Sequence, residues 1–345
     1  MNFSKVFKRP WTWAIALVVC LLVAALWTGY RVTKMPSYNC GGSAPVSIYI
    51  YSGDDWSAVS GRIPEGVSVR NGRDLSTVGL LGGEPRPGHY LVRPDETTLG
   101  LYRQLSRGLQ APVRITFTTT RDVGQLWRRL SDQLLCDSAA IAEAMTDRTL
   151  LDSLGVEDST LAYYLIPDTY EVYWTESARA ITARLARESK TFWNEKRRSQ
   201  AADLGMTPRE VITLASIINE ESAKSDEYRS IAGLYLNRLH RGMALQSDPT
   251  VLFALGDRSI RRVMHKHLEV DSPYNTYLHL GLPPGPIRIP SASAIDAVLS
   301  AEQHDYIYMC AKEDFSGRHN FAASYSEHMR NARAYASALN ERNIH

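Results

Sequence analysis

Hydrophobic and polar positions divide the chain into three regions, of which the first is a single apolar run. Residues 11–30 contain no formal charge, and this length is enough for a helix to cross a hydrocarbon core of roughly 30 Å. We therefore predict a transmembrane helix over residues 11–30, after a cytoplasmic tail of residues 1–10. Residues 31–45, where Pro, Gly, Ser and Asn cluster, are predicted to be a linker.

The residues beside the apolar run predict its orientation. Lys5, Lys8 and Arg9 precede the run and favour a cytoplasmic N-terminus. Trp and Tyr residues stand at both ends, where amphipathic rings settle at a membrane interface. A cleaved signal peptide is the alternative, but the run exceeds the usual apolar core of such a peptide and no clear small-x-small cleavage site follows. We predict a single-pass protein of the inner (cytoplasmic) membrane with a periplasmic or otherwise extracytoplasmic C-terminal part.

The second region, residues 46–160, alternates strands and helices. Two β-rich runs, 46–51 and 113–119, are each followed by a helical pattern, at 54–62 and 121–135 respectively. This pattern predicts a small α+β domain.

The third region, residues 161–345, is predicted to be a mostly helical domain with a short β-sheet. From residue 137 onwards, helices are predicted at 137–145, 176–196, 207–222, 226–241, 248–255, 291–301 and 324–339. One strand is predicted at 305–311, and residues 317–321 are compatible with its return as a hairpin. The predicted fold class of the whole chain is α+β.

Composition and charge limit the kinds of partner that the protein is expected to bind. The chain has 44% hydrophobic and 22% charged residues and a net charge of +2, which is typical of a folded protein. It has no long basic run interleaved with aromatic residues, so nucleic acid is not an expected partner. Of the four cysteines, Cys20 lies in the apolar run, and none has the spacing of a metal site. We expect no metal, no cofactor and at most one disulfide.

Several start signals fix the phase of the helix predicted at 207–222. Thr207 is the expected N-cap, Pro208 the first helical residue, and Glu210 the third position of a capping box. A helix that starts at a defined residue turns by about 100° per position, so the direction of each later side chain can be predicted.

Two neighbouring carboxylates near the end of this helix point in different directions. Glu221 falls on the apolar stripe that contains Leu214, Ile217 and Ile218, whereas Glu220 points to roughly the opposite side. A carboxyl group in an apolar face loses hydration, which raises its pKa and keeps it protonated. Glu221 is therefore the candidate general acid, and Glu220 is predicted to be a solvated neighbour. The alternative is that Glu221 merely pairs with an arginine such as Arg238.

Motifs in the second half of the chain resemble one family. Residues 214–222, which read LASIINEES, and the segments 231–239 and 241–251 closely resemble the YceG-like (MltG) family of endolytic murein transglycosylases. Further matching segments are 167–170, 272–277, 281–287 and 319–321. The family typically has Glu-x-Glu-Thr where this chain has Asn219-Glu220-Glu221-Ser222. The second acidic position, Glu221, is retained, and the first is an asparagine.

The resemblance implies a layout and a reaction. A membrane anchor and a small N-terminal domain, called LysM-like in the family, would precede a catalytic YceG-like domain at 161–345. A single glutamate, here Glu221, would protonate the glycosidic oxygen between N-acetylmuramic acid (MurNAc) and N-acetylglucosamine (GlcNAc). The C6 hydroxyl of the substrate would then attack C1 and leave a 1,6-anhydro end. The implied partners are peptidoglycan glycan strands and peptidoglycan synthases, and the implied role is to terminate glycan polymerisation near the membrane.

Six residues in the matching segments are candidates for substrate binding: Asn275, Gln246, Tyr274, Tyr277, His319 and Asp248. The two amides can hydrogen-bond a sugar, although Asn275 could instead satisfy loop backbone. The two tyrosines could stack on sugar rings or pack within their loop. Asp248 could serve as a helix N-cap, and His319 could make a structural hydrogen bond.

Two other functions remain open at this point. A non-catalytic peptidoglycan-binding scaffold would grip glycan with its small domain, and Asn219 is the main support for it. A muramidase that uses water would need a second carboxylate near Glu221, supplied by Asp248 or Glu220. The chemical nature of the cleaved end distinguishes the three.

Overall fold

The apolar run forms one long helix in this computed structural model, which describes residues 10–65, 67–69, 74–80, 82–155, 161–257, 259–260 and 263–342. Helix α1 spans Pro10–Lys34. It contains a window of mean hydropathy 2.1 and is long and apolar enough to cross a membrane. It continues past the predicted end at residue 30. The first proline after the run is Pro36, and a helix usually ends at or before the residue that precedes a proline. The predicted tail, residues 1–10, lies outside the described residues apart from Pro10.

The described residues fall into two units, and the first contains the chain up to Arg114 with Gln133–Leu135 and Glu171–Glu176. After α1, its elements are β1 (Tyr38–Asn39), β2 (Val46–Ile50), α2 (Trp56–Arg62), β3 (Ser68–Val69), α3 (Asp74–Gly79), β4 (Gly88–Val92) and α4 (Thr98–Arg107). Strand β1 pairs with β3 and β2 with β4, both antiparallel. Alternate residues of β2 and β4, including Ile48 and Tyr90, form a core with Leu101 and Leu105 of α4.

Two parts of this unit differ from the prediction. Tyr38 falls in the predicted linker, but its side chain is only 3% exposed and belongs to the core. Strand β4 and helix α4 were not predicted. Start and stop signals for α4 are present in the sequence, because Thr97 caps its first turn and Gly108 ends it in the left-handed region, with φ 68°. Strand β4 is short, and its pairing with the distant β2 leaves no local signal.

The second unit contains Ile115–Asp132, Cys136–Tyr170 and the chain from Ser177 onwards. Its helices are α5 (Val123–Ser131), α6 (Ser138–Thr146), α7 (Arg148–Ser153), α8 (Ala178–Phe192), α9 (Glu195–Asp203), α10 (Pro208–Glu221), α11 (Tyr228–His240), α12 (Asp248–Leu255), α13 (Ala292–Leu299) and α14 (Tyr325–Glu341). Strands β7 (Tyr308–Ala311) and β8 (His319–Ala322) form the predicted antiparallel hairpin. Strands β5 (Val113–Thr116) and β6 (Thr169–Val172) form a further two-stranded sheet.

The boundary between the units lies earlier in the chain than residue 160. Helices α5 to α7 belong to the second unit, where α6 packs against α8. An amphipathic pattern shows that a helix buries one face, but it does not show which neighbour covers that face. The contacts of the described residues group these helices with the second unit, whereas the sequence predicted a boundary at residue 160.

Helix α10 lies in the core of the second unit, and its start is the predicted capping box. The Thr207 hydroxyl accepts a hydrogen bond from the Glu210 backbone N–H, while the Glu210 carboxylate accepts one from the Thr207 N–H. Every residue from Val211 to Ile218 is buried, and the helix packs against α11, α12 and α13. It ends at Glu221, because Ser222 has extended backbone with φ −138° and ψ 139°.

Candidate active site

Glu221 lines a cleft of about 300 Å³ in the second unit. The cleft is built from the end of α10, the middle of α11, the start of α12 with the loop before it, the loop before α13, and the β7–β8 hairpin. Among the residues that line it are Tyr235, Arg238, Gln246, Asp248, Tyr277 and His319. The glutamate thus stands where five parts of the chain meet, on a helix that is buried in the core up to Ile218.

Two hydroxyl groups hold the Glu221 carboxyl group by the same oxygen. The Tyr235 hydroxyl donates to Oε1 at 2.6 Å, and the Ser247 hydroxyl also donates to Oε1. Within the part of the chain that the structure describes, no hydrogen bond reaches Oε2. Because Oε1 is occupied and Glu221 lines the cleft, Oε2 is the oxygen left to present a proton to a molecule there.

Its surroundings keep the Glu221 carboxyl group protonated up to a higher pH than the carboxyl group of an exposed glutamate. Burial raises the pKa of Glu221, while the hydrogen bonds from Ser247 and Tyr235 and the electrostatic influence of His319 lower it. Burial is the larger influence, so the net direction is upward, as the apolar stripe predicted. The pKa of Tyr235 is also raised, by burial and by the neighbouring glutamate, which keeps its phenol a donor.

Replacing Ser247 by Ala should move the alkaline limb of the pH profile of kcat/KM to higher pH. A general acid acts in its protonated form, so activity is lost as the pH rises through its pKa. The Ser247 hydroxyl lowers the pKa of Glu221 by stabilising the carboxylate, and its loss therefore raises that pKa. Ser293→Ala, at the exposed start of α13, should leave the limb in place. A limb that stays or moves to lower pH in Ser247→Ala would contradict Glu221 as the titrating acid.

The neighbouring Glu220 is not the solvated residue that the helix periodicity predicted. Its side chain is only 3% exposed and forms an ion pair with Arg288 at 2.9 Å and a second one with Arg121. Both arginines come from segments distant in the sequence, so the pattern of α10 alone contains no signal for them. The prediction of a solvated Glu220 was wrong, and this carboxylate is a buried structural ion.

Asn219 and Arg238 also have structural partners. The Asn219 amide donates to the Tyr228 hydroxyl at 2.8 Å and accepts from the Ser291 backbone N–H at 2.8 Å. Arg238 donates to the backbone carbonyls of Ile307 and Leu245. Among the described residues, Arg238 forms no ion pair with Glu221, which leaves the pairing alternative without support.

Four of the six predicted substrate-binding residues line the cleft with Glu221: Gln246, Asp248, Tyr277 and His319. Gln246 has a left-handed backbone, with φ 52°, which is uncommon for a residue with a side chain. Asp248 accepts a hydrogen bond from the Tyr277 hydroxyl at 2.6 Å. The N-cap alternative for Asp248 is wrong, because Ser247 occupies that position and Asp248 is the first helical residue.

The other two predicted residues, Asn275 and Tyr274, do not line the cleft. Asn275 is fully buried, and its amide donates to the carbonyls of Leu268 and Val270 while its oxygen accepts from the Tyr277 N–H. Tyr274 packs against Phe253, with ring centroids 4.8 Å apart. The structure favours the loop-backbone alternative for Asn275 and the packing alternative for Tyr274. Asn275 has no exposed surface for a sugar, and Tyr274 is half-buried outside the cleft lining.

Neither Ser247 nor Tyr235 was predicted to be a partner of Glu221. Tyr235 is seven positions into α11, on a face that reads as core, and it is 2% exposed. Ser247 precedes Asp248 and Pro249, a context that suggests a helix start rather than a site. A buried tyrosine usually finds a hydrogen-bond partner, and that expectation is the one signal that could have led to Tyr235.

The fold and the cleft define the class of protein. The sequence model of the YceG-like family matches residues 48–334, and the chain belongs to this family, as its motifs predicted.

Two relatives of this chain are named for the same activity. The endolytic murein transglycosylase of Bacillus subtilis (strain 168) is 27% identical over 314 residues, which cover 86% of this chain and 86% of that protein. The endolytic murein transglycosylase of Streptococcus pneumoniae serotype 2 (strain D39 / NCTC 7466) is 29% identical over 322 residues, covering 80% of this chain and 58% of that protein. The crystal structure of a yceG-like protein from Listeria monocytogenes has a TM-score of 0.57 and 26% identity, covering 84% of this chain and 99% of that one.

Proposed function

We propose that this protein is an endolytic peptidoglycan lytic transglycosylase that cleaves the MurNAc–GlcNAc bond and leaves 1,6-anhydroMurNAc ends. The observation that carries the proposal is Glu221, a cleft-lining carboxyl group of raised pKa whose Oε2 receives no hydrogen bond from the described residues. The activity named for the relatives supports the same reaction.

The reaction needs one acid and no water. Glu221 donates the proton on Oε2 to the bridging oxygen, and the bond between this oxygen and C1 of MurNAc breaks as positive charge develops at C1. The C6 hydroxyl of the same sugar attacks C1, a C1–O6 bond forms, and the hydroxyl proton passes to the Glu221 carboxylate. The acid is thereby regenerated. Because the nucleophile belongs to the substrate, its proximity supplies part of the rate.

The position of Asp248 is the reason to keep hydrolysis as the second candidate function. It lines the cleft with Glu221 and carries a carboxylate that could activate a water molecule. One of its oxygens already accepts the Tyr277 hydroxyl, an arrangement that equally suits a residue that orients a sugar. The scaffold alternative is weaker than before, because Asn219 is engaged in hydrogen bonds that hold α10 to other elements.

The membrane anchor and the role in strand termination are further parts of the proposal. Helix α1 is long and apolar enough to span the inner membrane, and it would keep the cleft near newly made glycan on the extracytoplasmic side. Endolytic cuts made there would end polymerisation, which makes peptidoglycan synthases the expected partners. We retain the LysM-like role of the first unit, including glycan binding, as a proposal on the strength of the family resemblance.

Mass spectrometry of products from uncrosslinked glycan strands tests the proposed function. The full chain in detergent should release fragments with anhydro ends from the interior of the strands. Fragments with reducing ends would show that water is the nucleophile and direct attention to Asp248. Intact strands that nevertheless bind the protein would support the scaffold.

A further inference from the structure

A second buried carboxylate lies beside the cleft and has no part in the proposed reaction. Glu227 ends a one-turn 3-10 helix, Ser225–Glu227, directly before α11. Its side chain is 7% exposed. Burying a carboxylate is unfavourable unless several donors satisfy it, so the identity of those donors shows what the residue holds in place.

The donors to Glu227 come from the end of α10 and from β8. The Ser222 hydroxyl donates to Oε2 at 3.0 Å. His319 binds the carboxylate twice, through its backbone N–H to Oε1 at 2.9 Å and through ring Nδ1 to Oε2 at 3.2 Å. Ser222 follows the candidate acid Glu221, and His319 lines the cleft. Glu227 thus connects the end of the acid-bearing helix to a cleft side chain.

The contact with Glu227 assigns the tautomer of His319. A carboxylate accepts hydrogen bonds, so Nδ1 must carry the hydrogen, and in the neutral ring Nε2 then carries a lone pair. Within the described residues, no hydrogen bond reaches Nε2. In its neutral form, His319 therefore offers the cleft a hydrogen-bond acceptor, whereas the protonated ring would offer a second donor.

We propose that Glu227 is a positioning residue, which holds His319 so that Nε2 accepts a hydrogen bond from a hydroxyl of the glycan strand beside the bond that Glu221 protonates. This inference rests on the proposed function. Sugar hydroxyls can donate hydrogen bonds. Because the buried Glu227 carboxylate already fixes the His319 ring, Nε2 can orient such a hydroxyl without the ring having to be ordered on binding. The competing interpretation is that Glu227 only secures the end of α10 through Ser222.

Glu227→Gln separates these interpretations, because it keeps the shape of the side chain and reverses one hydrogen bond. With its oxygen accepting from the His319 backbone, the Gln amide N–H faces Nδ1, which must then be the lone-pair nitrogen. The ring presents N–H to the cleft instead of an acceptor. We expect kcat on uncrosslinked strands to fall about 10- to 100-fold, the effect of losing one oriented hydrogen bond in the transition state.

The full chain in detergent allows a readout besides activity. The ¹⁵N chemical shifts of the histidine rings report the tautomer, and the His319 signal is identified by its loss in His319→Asn. In Glu227→Gln this signal should change from the Nδ1–H to the Nε2–H form. Asp226→Asn is the matched control, because Asp226 is the neighbouring carboxylate and pairs with Arg318, next to His319, on the exposed surface. It should keep kcat within about twofold and leave the tautomer unchanged.

A double-mutant cycle decides whether Glu227 acts through His319. An asparagine at 319 can keep a donor toward Glu227 but has no Nε2, so His319→Asn should lose kcat as Glu227→Gln does. The double variant should lose no more than either single one. Independent, multiplying losses would overturn the proposal in favour of a structural role, as would an unchanged tautomer in Glu227→Gln.

The outcomes also separate this inference from the proposed function. If Glu227→Gln does not fold, His319→Asn alone decides, and unchanged kcat in that variant overturns the inference. If the wild-type chain produces no anhydro ends, the proposed function fails, and the inference fails with it. A tautomer that still changes with Glu227→Gln would then mark the pair as purely structural.

Discussion

Glu221→Gln should lower kcat for the release of anhydro ends by about 10²- to 10⁴-fold, the range that one general acid contributes. Glutamine has nearly the same shape, and its amide oxygen can still accept the hydrogen bonds from Tyr235 and Ser247 that the Glu221 Oε1 accepts. It carries no acidic proton at the position of Oε2. The fold and the binding of glycan should therefore persist while the chemical step is lost. The measurement is the initial rate of anhydro-end formation by the full chain.

Asp248→Asn is the matched comparison for Glu221→Gln. Asp248 lines the same cleft and accepts the Tyr277 hydroxyl, so its loss should weaken activity less than the loss of Glu221 and leave the product anhydro-ended. Equal loss of activity in the two variants, with reducing ends from the wild type, would instead define a pair of carboxylates that uses water. Full activity in Glu221→Gln would exclude Glu221 as the acid.

Periodicity predicted which of the two adjacent glutamates stands in an apolar setting, because the capping box at Thr207 fixes the helix phase within the sequence itself. It could not predict the state of Glu220, since the opposite face of a helix is solvated only if nothing else packs there. Arg121 and Arg288 come from segments far away in the chain and cover it. A local pattern shows the direction of a side chain, whereas tertiary structure decides what that side chain meets.

The same difference between a local pattern and tertiary structure also explains which of the predicted residues lie in the cleft. Cleft residues such as Tyr277 and His319 were found through motif resemblance, and the structure brings them to Glu221. Asn275 also lies in a matching segment, yet its amide N–H groups donate to backbone carbonyls of its own loop. An amide that binds a sugar and an amide that ties a loop have the same signature in a sequence, so burial is needed to tell them apart. Glu227 lies between the matching segments 214–222 and 231–239 and belongs to neither.

Glu220→Gln should destabilise the second unit by about 3 kcal/mol, the lower end of the range for breaking a buried ion pair by removing one partner. The lower end applies because the Arg121 side chain is 52% exposed and regains water, whereas Arg288 is 16% exposed. The Arg288 guanidinium would lose its counter-ion, and no described residue hydrogen-bonds its Nε. For a unit of this size, the loss should lower the melting temperature by about 6–12 °C, measured by thermal unfolding of the full chain.

Glu188→Gln is the matched control, because its ion pair with Arg184, at 2.7 Å, is one turn apart on a partly exposed helix face. Such a pair contributes about 0.5 kcal/mol or less, so the melting temperature should barely change. High salt should reduce that small effect and leave most of the Glu220 effect, since buried pairs are screened less. Equal shifts in the two variants would show that Glu220 is solvated after all. With Glu221→Gln keeping its stability and losing its rate, two adjacent carboxylates would be assigned to opposite tasks by their surroundings alone.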